Sequence, residues 1–368
     1  MLDMESILNP IALRIRAAAE RGTPLRIRGG GSKDFYGERL EGELLETAPL
    51  AGITSYEPTE LVVTALAGTP LVQLEAALAE QGQCLPFEPP HFGGGATVGG
   101  MVAAGLSGPA RASAGAVRDY VLGLTMVNGR GELVTFGGQV MKNVAGYDVS
   151  RLVAGSLGTL GLIVEASLKV LPVPPGQATL KFELSQDEAL RRLNAWGGQP
   201  LPLNASCWVR DGGVDTLFLR LRGAVAAVEA ACRTLGGERQ DEAQVAADWN
   251  LCRDQQLPWF AQRAGRDLWR LSVPQTAPVL DLPEPPLVEW HGGQRWVRAE
   301  PAAAADLRRV AQQAGGHATL FASDAGSPET AGGRFAPLAP ALAHIHRELK
   351  RQFDPTGIFN RGRLYPDF

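Results

Sequence analysis

The sequence predicts an α+β protein of two domains, and three observations carry this prediction. At 368 residues the chain is too long for one ordinary hydrophobic core. Three glycine clusters lie beside strand-like or short helical segments in the first half, at Gly29–Gly31, Gly93–Gly108 and Gly155–Gly161. After Pro172 the chain mixes strands and helices without such glycine-rich turns, which is typical of an antiparallel α+β layer.

The first half is expected to alternate strands with short helices. Asn9–Pro10 supplies a good N-cap and first helical residue, so we expect a helix from there to Gly22. The alternating segment Leu25–Arg28 predicts a strand that runs into the first glycine cluster. Thr69–Pro70 predicts the capped start of a helix that ends at Gln81.

Later segments complete this outline. Asn128–Gly131 separates two apolar runs, 120–127 and 132–136, and therefore predicts a hairpin. Ser185–Glu188 fits a capping box, and Ala339–Phe353 has the spacing of an amphipathic helix followed by a turn-rich tail. We expect domain limits at 1–172 and 173–335, with 336–368 returning to the first domain.

Composition and charge narrow the classes of function. The chain has 35 basic and 39 acidic residues, with no long run of either sign, so a nucleic-acid surface is not expected. The N-terminus lacks the pattern of a signal peptide, and no apolar run is long enough to cross a membrane. We expect a cytoplasmic protein that meets a membrane only through partners. Its four scattered cysteines indicate neither disulfides nor a metal or iron–sulfur site.

The usual nucleotide motifs are absent, which leaves the glycine clusters as the main signal. There is no P-loop, no GxGxxG opening a strand–helix unit and no HExxH. Gly93–Gly108 holds seven glycines and almost no charge, and a helix is expected to start at Val98. Each cluster alone is more typical of a turn, but together they suit a ligand with a diphosphate and extended flat rings, because glycine lets a ligand touch main-chain N–H groups.

An ordered set of segments resembles the FAD-binding domain of the vanillyl-alcohol-oxidase/PCMH flavoprotein superfamily. More closely, nearly the whole chain is similar to the smaller FAD-binding subunits of bacterial glycolate oxidases. The resemblance implies a PCMH-type two-part FAD-binding domain with an antiparallel α+β cap. The segments are 28–32 (RGGGS), 84–91 (CLPFEPPH), 96–100 (ATVGG), 117–123 (VRDYVLG), 142–148 (KNVAGYD), 155–163 (GSLGTLGLI) and 315–319 (GGHAT).

The resemblance also implies which residues bind FAD. The first two loops would cradle the pyrophosphate and the third would line the rest of the cofactor. The implied residues are Arg28, Gly29, Gly30, Gly31, Ser32, Thr97, Val98, Gly99, Gly100, Gly158, Thr159, Gly161 and Ile163. Relatives with covalent flavin often carry histidine where this chain has Ser32, so non-covalent FAD is expected. Cys84 is a remote alternative for covalent attachment, and a packed structural thiol is the simpler interpretation.

Four polar residues interrupt an otherwise apolar region: Lys142, Asn143, Tyr147 and Asp148. Two interpretations stay open with equal weight. The residues could orient the cofactor or its loop, or Asp148 could cap a helix while the tyrosine packs in the core.

The catalytic residues stay unknown, with His317 as the one candidate. Related 2-hydroxyacid dehydrogenases carry a metal-binding motif of histidines and acids at the corresponding place, but this chain has Ala318, Thr319 and Leu320 there. No metal site is therefore expected, and a lone histidine is more often structural. His344 and His346 are spaced to point to different faces of one helix, which is unsuitable for a shared metal. The tail also departs from the family's Asn-Pro-Gly pattern at Arg361.

The resemblance implies oxidation of glycolate to glyoxylate, with D-lactate as a second candidate substrate. The implied partners are a larger FAD-containing subunit and an iron–sulfur subunit that receives the electrons. Because this chain lacks the complete substrate motif, we expect it to transfer electrons or support assembly while the larger subunit oxidises glycolate. Two alternatives stay open: a flavin-free scaffold, and an independent FAD-dependent 2-hydroxyacid dehydrogenase that uses His317.

Overall fold

The computed structural model describes residues 4–138, 148–263, 265–323 and 333–368. The helices there are α1 (Met4–Arg21), α2 (Leu71–Glu80), α3 (Val98–Ala104), α4 (Arg111–Ala114), α5 (Val149–Val153), α6 (Gln186–Gly197), α7 (Val225–Leu235), α8 (Glu242–Arg253), α9 (Pro258–Ala261), α10 (Ala304–Gln313) and α11 (Pro340–Phe353). The strands are β1 (Leu25–Arg28), β2 (Glu43–Glu46), β3 (Ile53–Glu57), β4 (Val62–Leu66), β5 (Gln83–Cys84), β6 (Val121–Val127), β7 (Leu133–Gly137), β8 (Leu162–Lys169), β9 (Leu171–Pro172), β10 (Gly176–Glu183), β11 (Leu203–Asp211), β12 (Val214–Gly223), β13 (Glu238–Arg239), β14 (Asp267–Ser272), β15 (Leu287–Glu289), β16 (Gln294–Ala299) and β17 (His317–Ala322). None of these helices has the length and apolar character needed to cross a membrane.

The first half is built around an antiparallel sheet in the order β3-β4-β8-β6-β7. Every residue of β4 is buried, because the strand lies between β3 and β8 and both faces of the sheet are covered. Val63 and Ala65 pack in the same core as α2 and α3, whereas Leu66 packs in a second core with α1. A separate parallel pair, β1 with β2, precedes this sheet and ends at the first glycine cluster.

The second half is one large antiparallel sheet in the order β13-β10-β12-β11-β15-β16-β14-β17. Its alternating side chains separate two faces. One face is covered by α6, α7 and α10, which bury Trp208 and Trp269 among aliphatic residues. The other face carries Cys207 and Trp296 and packs against α8, α9 and, from the first half, Tyr36 and Leu106. The two halves therefore share a hydrophobic core.

The C-terminal segment lies against the first half. Leu349 and Phe353 of α11 pack against its core. Phe359 forms a parallel bridge with Leu25 of β1. The ammonium of Lys350, at the end of α11, is buried and donates to Asp354 Oδ2 at 2.7 Å and to the carbonyl of Phe359 at 2.8 Å.

One helix start and one helix cap differ from the sequence expectation. Helix α1 begins at Met4 and contains Pro10 in its interior, because Ile7 and Leu8 extend the apolar face that packs on the core. Helix α2 begins at Leu71 as expected, but Thr69 does not cap it. The Thr69 hydroxyl bonds to the backbone of Gly52 instead, at 2.9 and 3.0 Å. The predicted hairpin, the capping serine Ser185 and the start of α3 at Val98 are present in the structure.

Candidate functional site

The first glycine cluster forms a loop directly after β1. The Arg28 guanidinium folds back over Gly31 and donates from Nε to Asp34 Oδ2 at 2.7 Å. Gly31 has a φ of +75°, and a Cβ there would overlap the Arg28 side chain, so the position requires glycine. Within the described residues, the N–H groups of residues 29–32 donate no hydrogen bond. Successive unpaired main-chain donors of this kind form a site for an anion.

The second glycine cluster touches the first. A Cβ on Gly30 would overlap the carbonyl oxygen of Gly95, and a Cβ on Gly29 would overlap the hydroxyl of Thr97. The two loops can approach this closely only because neither glycine has a side chain.

The start of α3 uses its donors within the protein. Thr97 is the N-cap and accepts a hydrogen bond from the Gly100 N–H at 3.2 Å. The N–H of Val98 binds the carbonyl of Thr69, and the N–H of Gly99 binds the carbonyl of Ala67. The glycines of this stretch therefore let another group lie close to its backbone, whereas the unpaired N–H donors belong to the first loop.

The third cluster lies beside the C-terminal tail. Gly158 has a φ of +73°, and a Cβ there would lie 2.7 Å from Nδ2 of Asn360. A Cβ on Gly161 would lie 2.7 Å from the carbonyl oxygen of Val127 in β6. Thr159 is buried, and its hydroxyl donates to the backbone within its own turn. These positions favour glycine because backbone or a tail side chain lies directly against them.

All three clusters line one narrow cavity of about 70 Å³. The sequence-predicted residues among its walls are Gly29, Gly99, Gly100, Gly158, Gly161 and Ile163. The remaining walls are Ile27, Thr47, Ala67, Ala103, Leu157 and Asn360. Val98 is fully buried in the core of the first half and does not reach the cavity.

These residues fit the pyrophosphate-containing cofactor that the sequence resemblance implies. The walls are formed by glycine backbone and mostly apolar side chains, and the adjoining loop of residues 29–32 offers unpaired N–H donors. Pockets that enclose whole ligands usually measure roughly 300–1,000 Å³. The cavity is smaller than that, so it can enclose only part of a dinucleotide.

A buried ion-pair cluster joins the two halves close to the second glycine cluster. Glu88 belongs to the first half and has a φ of +48°. Nη2 of Arg220 contacts both of its carboxylate oxygens at 2.6 and 2.7 Å, and Nη1 of Arg222 contacts one of them at 2.9 Å. Arg220 is 2% exposed, so this cluster depends on its partners rather than on water for solvation.

Lys33 adds a cation directly after the loop of unpaired donors. Its Nζ donates to the Ser32 hydroxyl at 3.2 Å and lies 5.5 Å from the ring centre of Phe92. Burial lowers the pKa of Lys33 to about 8, and the charge of Asp254 opposes this shift. No ion pair holds this ammonium within the described residues.

His291 bridges the Ser206 hydroxyl of the second half and the Ser113 hydroxyl of the first half. The Ser206 oxygen accepts the backbone N–H of His291 at 2.9 Å and lies 3.1 Å from Nδ1, while the Ser113 oxygen lies 3.1 Å from Nε2. Since the Ser206 proton has no other acceptor in the described part of the chain, we assign it to Nδ1. The ring proton is then on Nε2 and is donated to Ser113. Burial lowers the pKa of His291 to about 4, which keeps the ring neutral.

His317 lies at the exposed start of β17, opposite Ser272 of β14. It shares a sheet face with Arg270, and desolvation together with the Arg270 charge lowers the pKa of its imidazole. Within residues 4–138, 148–263, 265–323 and 333–368, no group of three His, Cys, Asp or Glu side chains is arranged to hold a metal.

The remaining sequence candidates are the polar residues of segment 142–148 and the thiol of Cys84. Asp148 is the N-cap of α5, where its carboxylate accepts the Arg151 N–H at 3.2 Å. Lys142, Asn143 and Tyr147 lie outside the described residues. Cys84 pairs with Leu171 in a short ladder, and burial raises the pKa of its thiol, which disfavours the nucleophilic thiolate.

Sequence reasoning missed the tail residue Asn360 and the Glu88 cluster with Arg220 and Arg222. Asn360 carried a usable signal, since it lies where the family tail has its Asn-Pro-Gly pattern. The others are single charged residues far apart in sequence, and only folding brings them together.

Comparison with known proteins identifies the family. Residues 9–137 match the family model described as an FAD binding domain. The chain is 46% identical to glycolate oxidase subunit GlcE of Escherichia coli K12 over 355 residues, which is 96% of both chains. It is 33% identical to glycolate oxidase subunit GlcD of Bacillus subtilis over 164 residues, covering 44% of this chain and 35% of that protein.

A D-lactate dehydrogenase of Archaeoglobus fulgidus is 36% identical over 166 residues, covering 43% of this chain and 35% of that protein. Among solved structures, alkyldihydroxyacetonephosphate synthase superposes with a TM-score of 0.64 at 15% identity, over 95% of this chain and 74% of that one. This likeness confirms the predicted α+β fold of PCMH type. The chain belongs to the GlcE family of glycolate oxidase subunits and carries an FAD-binding domain.

Proposed function

We propose that this chain is the FAD-binding subunit of a glycolate oxidase complex that oxidises glycolate to glyoxylate, with D-lactate as a second candidate substrate. The observation that carries this proposal is the convergence of three glycine clusters, far apart in sequence, on one cavity beside a row of unpaired N–H donors. The match to an FAD binding domain and the GlcE relationship support it.

In this proposal the loop after β1 binds the pyrophosphate. Its N–H groups at residues 29–32 face an anion without competing protein acceptors, and Arg28 holds the loop in shape through Asp34. Gly99, Gly100, Gly158 and the neighbouring small residues allow the rest of the cofactor to lie against backbone. Bound FAD supplies the two-electron redox chemistry, and the chain supplies orientation, charge and exclusion of water. FAD is proposed to be non-covalent, since Ser32 is not a flavin-linking histidine.

The proposed domain division follows the two main sheets. Residues 1–172 form the FAD domain, residues 173–335 form the cap, and residues 336–368 return to the FAD domain. The proposed partners are a larger FAD-containing subunit and an iron–sulfur subunit that receives the electrons. The GlcE relative is itself named a subunit, which supports a multi-subunit assembly.

The visible spectrum of the purified full-length chain tests the proposal. We expect flavin absorbance that is released into the supernatant on denaturation and runs as FAD. A colourless chain that also fails to take up added FAD would mean a flavin-free scaffold. Glycolate added in the absence of oxygen then tests whether the chain oxidises substrate on its own. Loss of flavin absorbance in the isolated chain indicates an independent dehydrogenase. Loss of absorbance only when the larger subunit is present indicates an electron-transfer role.

A further inference from the structure

Lys33 extends the first glycine loop by a positive charge. Its backbone N–H, like those of residues 29–32, donates no hydrogen bond in the described part of the chain. Its side chain turns back to the loop, where Nζ donates to the Ser32 hydroxyl at 3.2 Å. An ammonium has three N–H donors, and this is the only hydrogen bond that Nζ forms among the described residues. The row of unpaired main-chain donors therefore ends at a side chain that also has donors to spare.

The same ammonium lies beside the second glycine cluster. It is 5.5 Å from the ring centre of Phe92, the residue directly before Gly93, and at this distance a cation is attracted to an aromatic ring. The first two glycine loops approach each other closely at Gly30 and Gly95. Lys33 therefore holds its charge between these two loops rather than extending it into solvent.

The acids around Lys33 are already paired with other cations. Asp254, whose charge acts on Lys33, pairs through Oδ2 with Arg253 at 2.8 Å. Asp34, the next residue along the chain, pairs with Arg28 at 2.7 Å. Lys33 itself forms no ion pair with any residue that the structure describes. A mostly buried ammonium without a carboxylate partner is unfavourable, so the site favours an anion from outside the chain.

The backbone that carries Lys33 is held in place by the tail residue Arg363. Its buried guanidinium donates from Nη2 to the carbonyls of Lys33 at 3.3 Å and Asp34 at 2.9 Å. It also bonds to the carbonyls of Tyr36 and Glu38. The turn after the first glycine loop is therefore fixed by the tail, and the Lys33 side chain starts from a defined position. A group that is positioned before its ligand arrives loses less conformational entropy on binding.

We propose that the Lys33 ammonium binds the pyrophosphate of FAD together with the N–H groups of residues 29–33. This inference rests on the proposed function and deepens it, because it adds a side-chain cation to a site built otherwise from main-chain donors. The other cation of this loop, Arg28, is already paired with Asp34. Main-chain N–H groups carry only partial charges, whereas a charged donor forms the stronger hydrogen bond to a phosphate oxygen. Lysine suits this role as a compact charge with three donors, and the Ser32 hydroxyl orients it.

Titration of the flavin-free, full-length chain with FAD tests this inference, and flavin fluorescence reports binding. Lys33→Met keeps a long apolar side chain beside Phe92 but removes the charge. It should weaken FAD binding roughly 10- to 100-fold, the range for a hydrogen bond to a charged group. Because a charged contact is screened by salt, the affinity of Lys33→Met should also fall less with added salt than that of wild type.

Two further variants serve as comparisons. Lys33→Arg keeps the charge, so its FAD affinity should lie between those of Lys33→Met and wild type. Lys181→Met is the matched control, because Lys181 is a half-buried lysine on β10 in the second half. This control should bind FAD like wild type and keep the wild-type salt dependence.

The stability of the flavin-free chain separates this role from a purely structural one. Lys33→Met should unfold at the same urea concentration as wild type or at a higher one, because it removes a buried charge that has no partner. Unchanged FAD affinity in Lys33→Met overturns the inference, as does a urea midpoint below that of wild type. A wild-type chain that takes up no FAD overturns the proposed function itself. A wild-type chain that binds FAD no more tightly than Lys33→Met overturns only the role of Lys33.

Discussion

The side-chain amide of Asn360 joins the C-terminal tail to the third glycine cluster by donating from Nδ2 to the carbonyl of Leu157 at 2.6 Å. The same amide accepts the N–H of Ile27 in β1 at 2.7 Å. Asn360 is also a wall of the glycine-lined cavity and has a φ of +38°, a conformation that asparagine tolerates better than most residues. One tail residue thus fixes the spacing between the first and third loops.

Replacement of Asn360 by alanine should destabilise the chain by about 2 kcal/mol, because it leaves two partly buried backbone groups without partners. We expect a lower urea midpoint and faster loss of FAD. Asn360→Asp keeps the acceptor for Ile27 but sets a carboxylate against the Leu157 carbonyl, so it should also be less stable than wild type. An alanine variant with wild-type stability and FAD retention would contradict this role.

Glycine at position 30 should be required for the contact between the first two loops. A Cβ there overlaps the Gly95 carbonyl, so Gly30→Ala should cost on the order of 1–3 kcal/mol and reduce the FAD content of the purified chain. Gly94→Ala is the matched control, because no atom lies within 4 Å of a Cβ at Gly94. The interpretation is wrong if both variants carry the same amount of FAD as wild type.

Neutralising Glu88 should weaken the contact between the halves. Glu88→Gln leaves Arg220 and Arg222 close together without their carboxylate, and removal of one partner from a buried ion pair typically costs roughly 3–5 kcal/mol. We expect a lower denaturation midpoint and loss of a single cooperative transition. Glu188→Gln is the control, since Glu188 also pairs with two arginines but on an exposed helix, and its stability should not change measurably.

His291 should make the chain sensitive to acid. The folded protein resists protonation of this ring until about pH 4, whereas an unfolded histidine protonates near pH 6.5. The unfolded state therefore binds more protons between these values, and stability falls as the pH drops from 6.5 to 4, by about 3 kcal/mol at most.

His291→Asn tests this pH dependence, because asparagine tolerates the residue's φ of +55° and does not titrate. The variant should show a flatter stability profile between pH 6.5 and 4, measured by urea unfolding at each pH. His344→Asn, at an exposed position of α11, should keep the wild-type slope. Parallel wild-type and His291→Asn profiles would assign the acid sensitivity to other groups.

Local patterns in the sequence were enough for much of the fold and for the cofactor. Thr97, Ser185 and Asp148 cap helices as their residue types favour, and the turn at Asn128–Gly131 forms the expected hairpin. Where a distant partner competes, local reasoning failed. The Thr69 hydroxyl bonds to the backbone of Gly52 rather than to its own helix. Helix α1 begins before Pro10, because Ile7 and Leu8 pack against the core.

By itself, the sequence determined the α+β class, the three glycine clusters and their suitability for a dinucleotide, because backbone freedom and hydrophobic period are properties of short segments. Only the tertiary structure decided which N–H groups are unpaired, since those at Val98 and Gly99 are used by neighbouring loops and those at residues 29–32 are not. It also decided that Asn360 lines the cavity and joins the first and third loops. These hydrogen bonds join residues far apart in the chain, so they form only once the chain has folded.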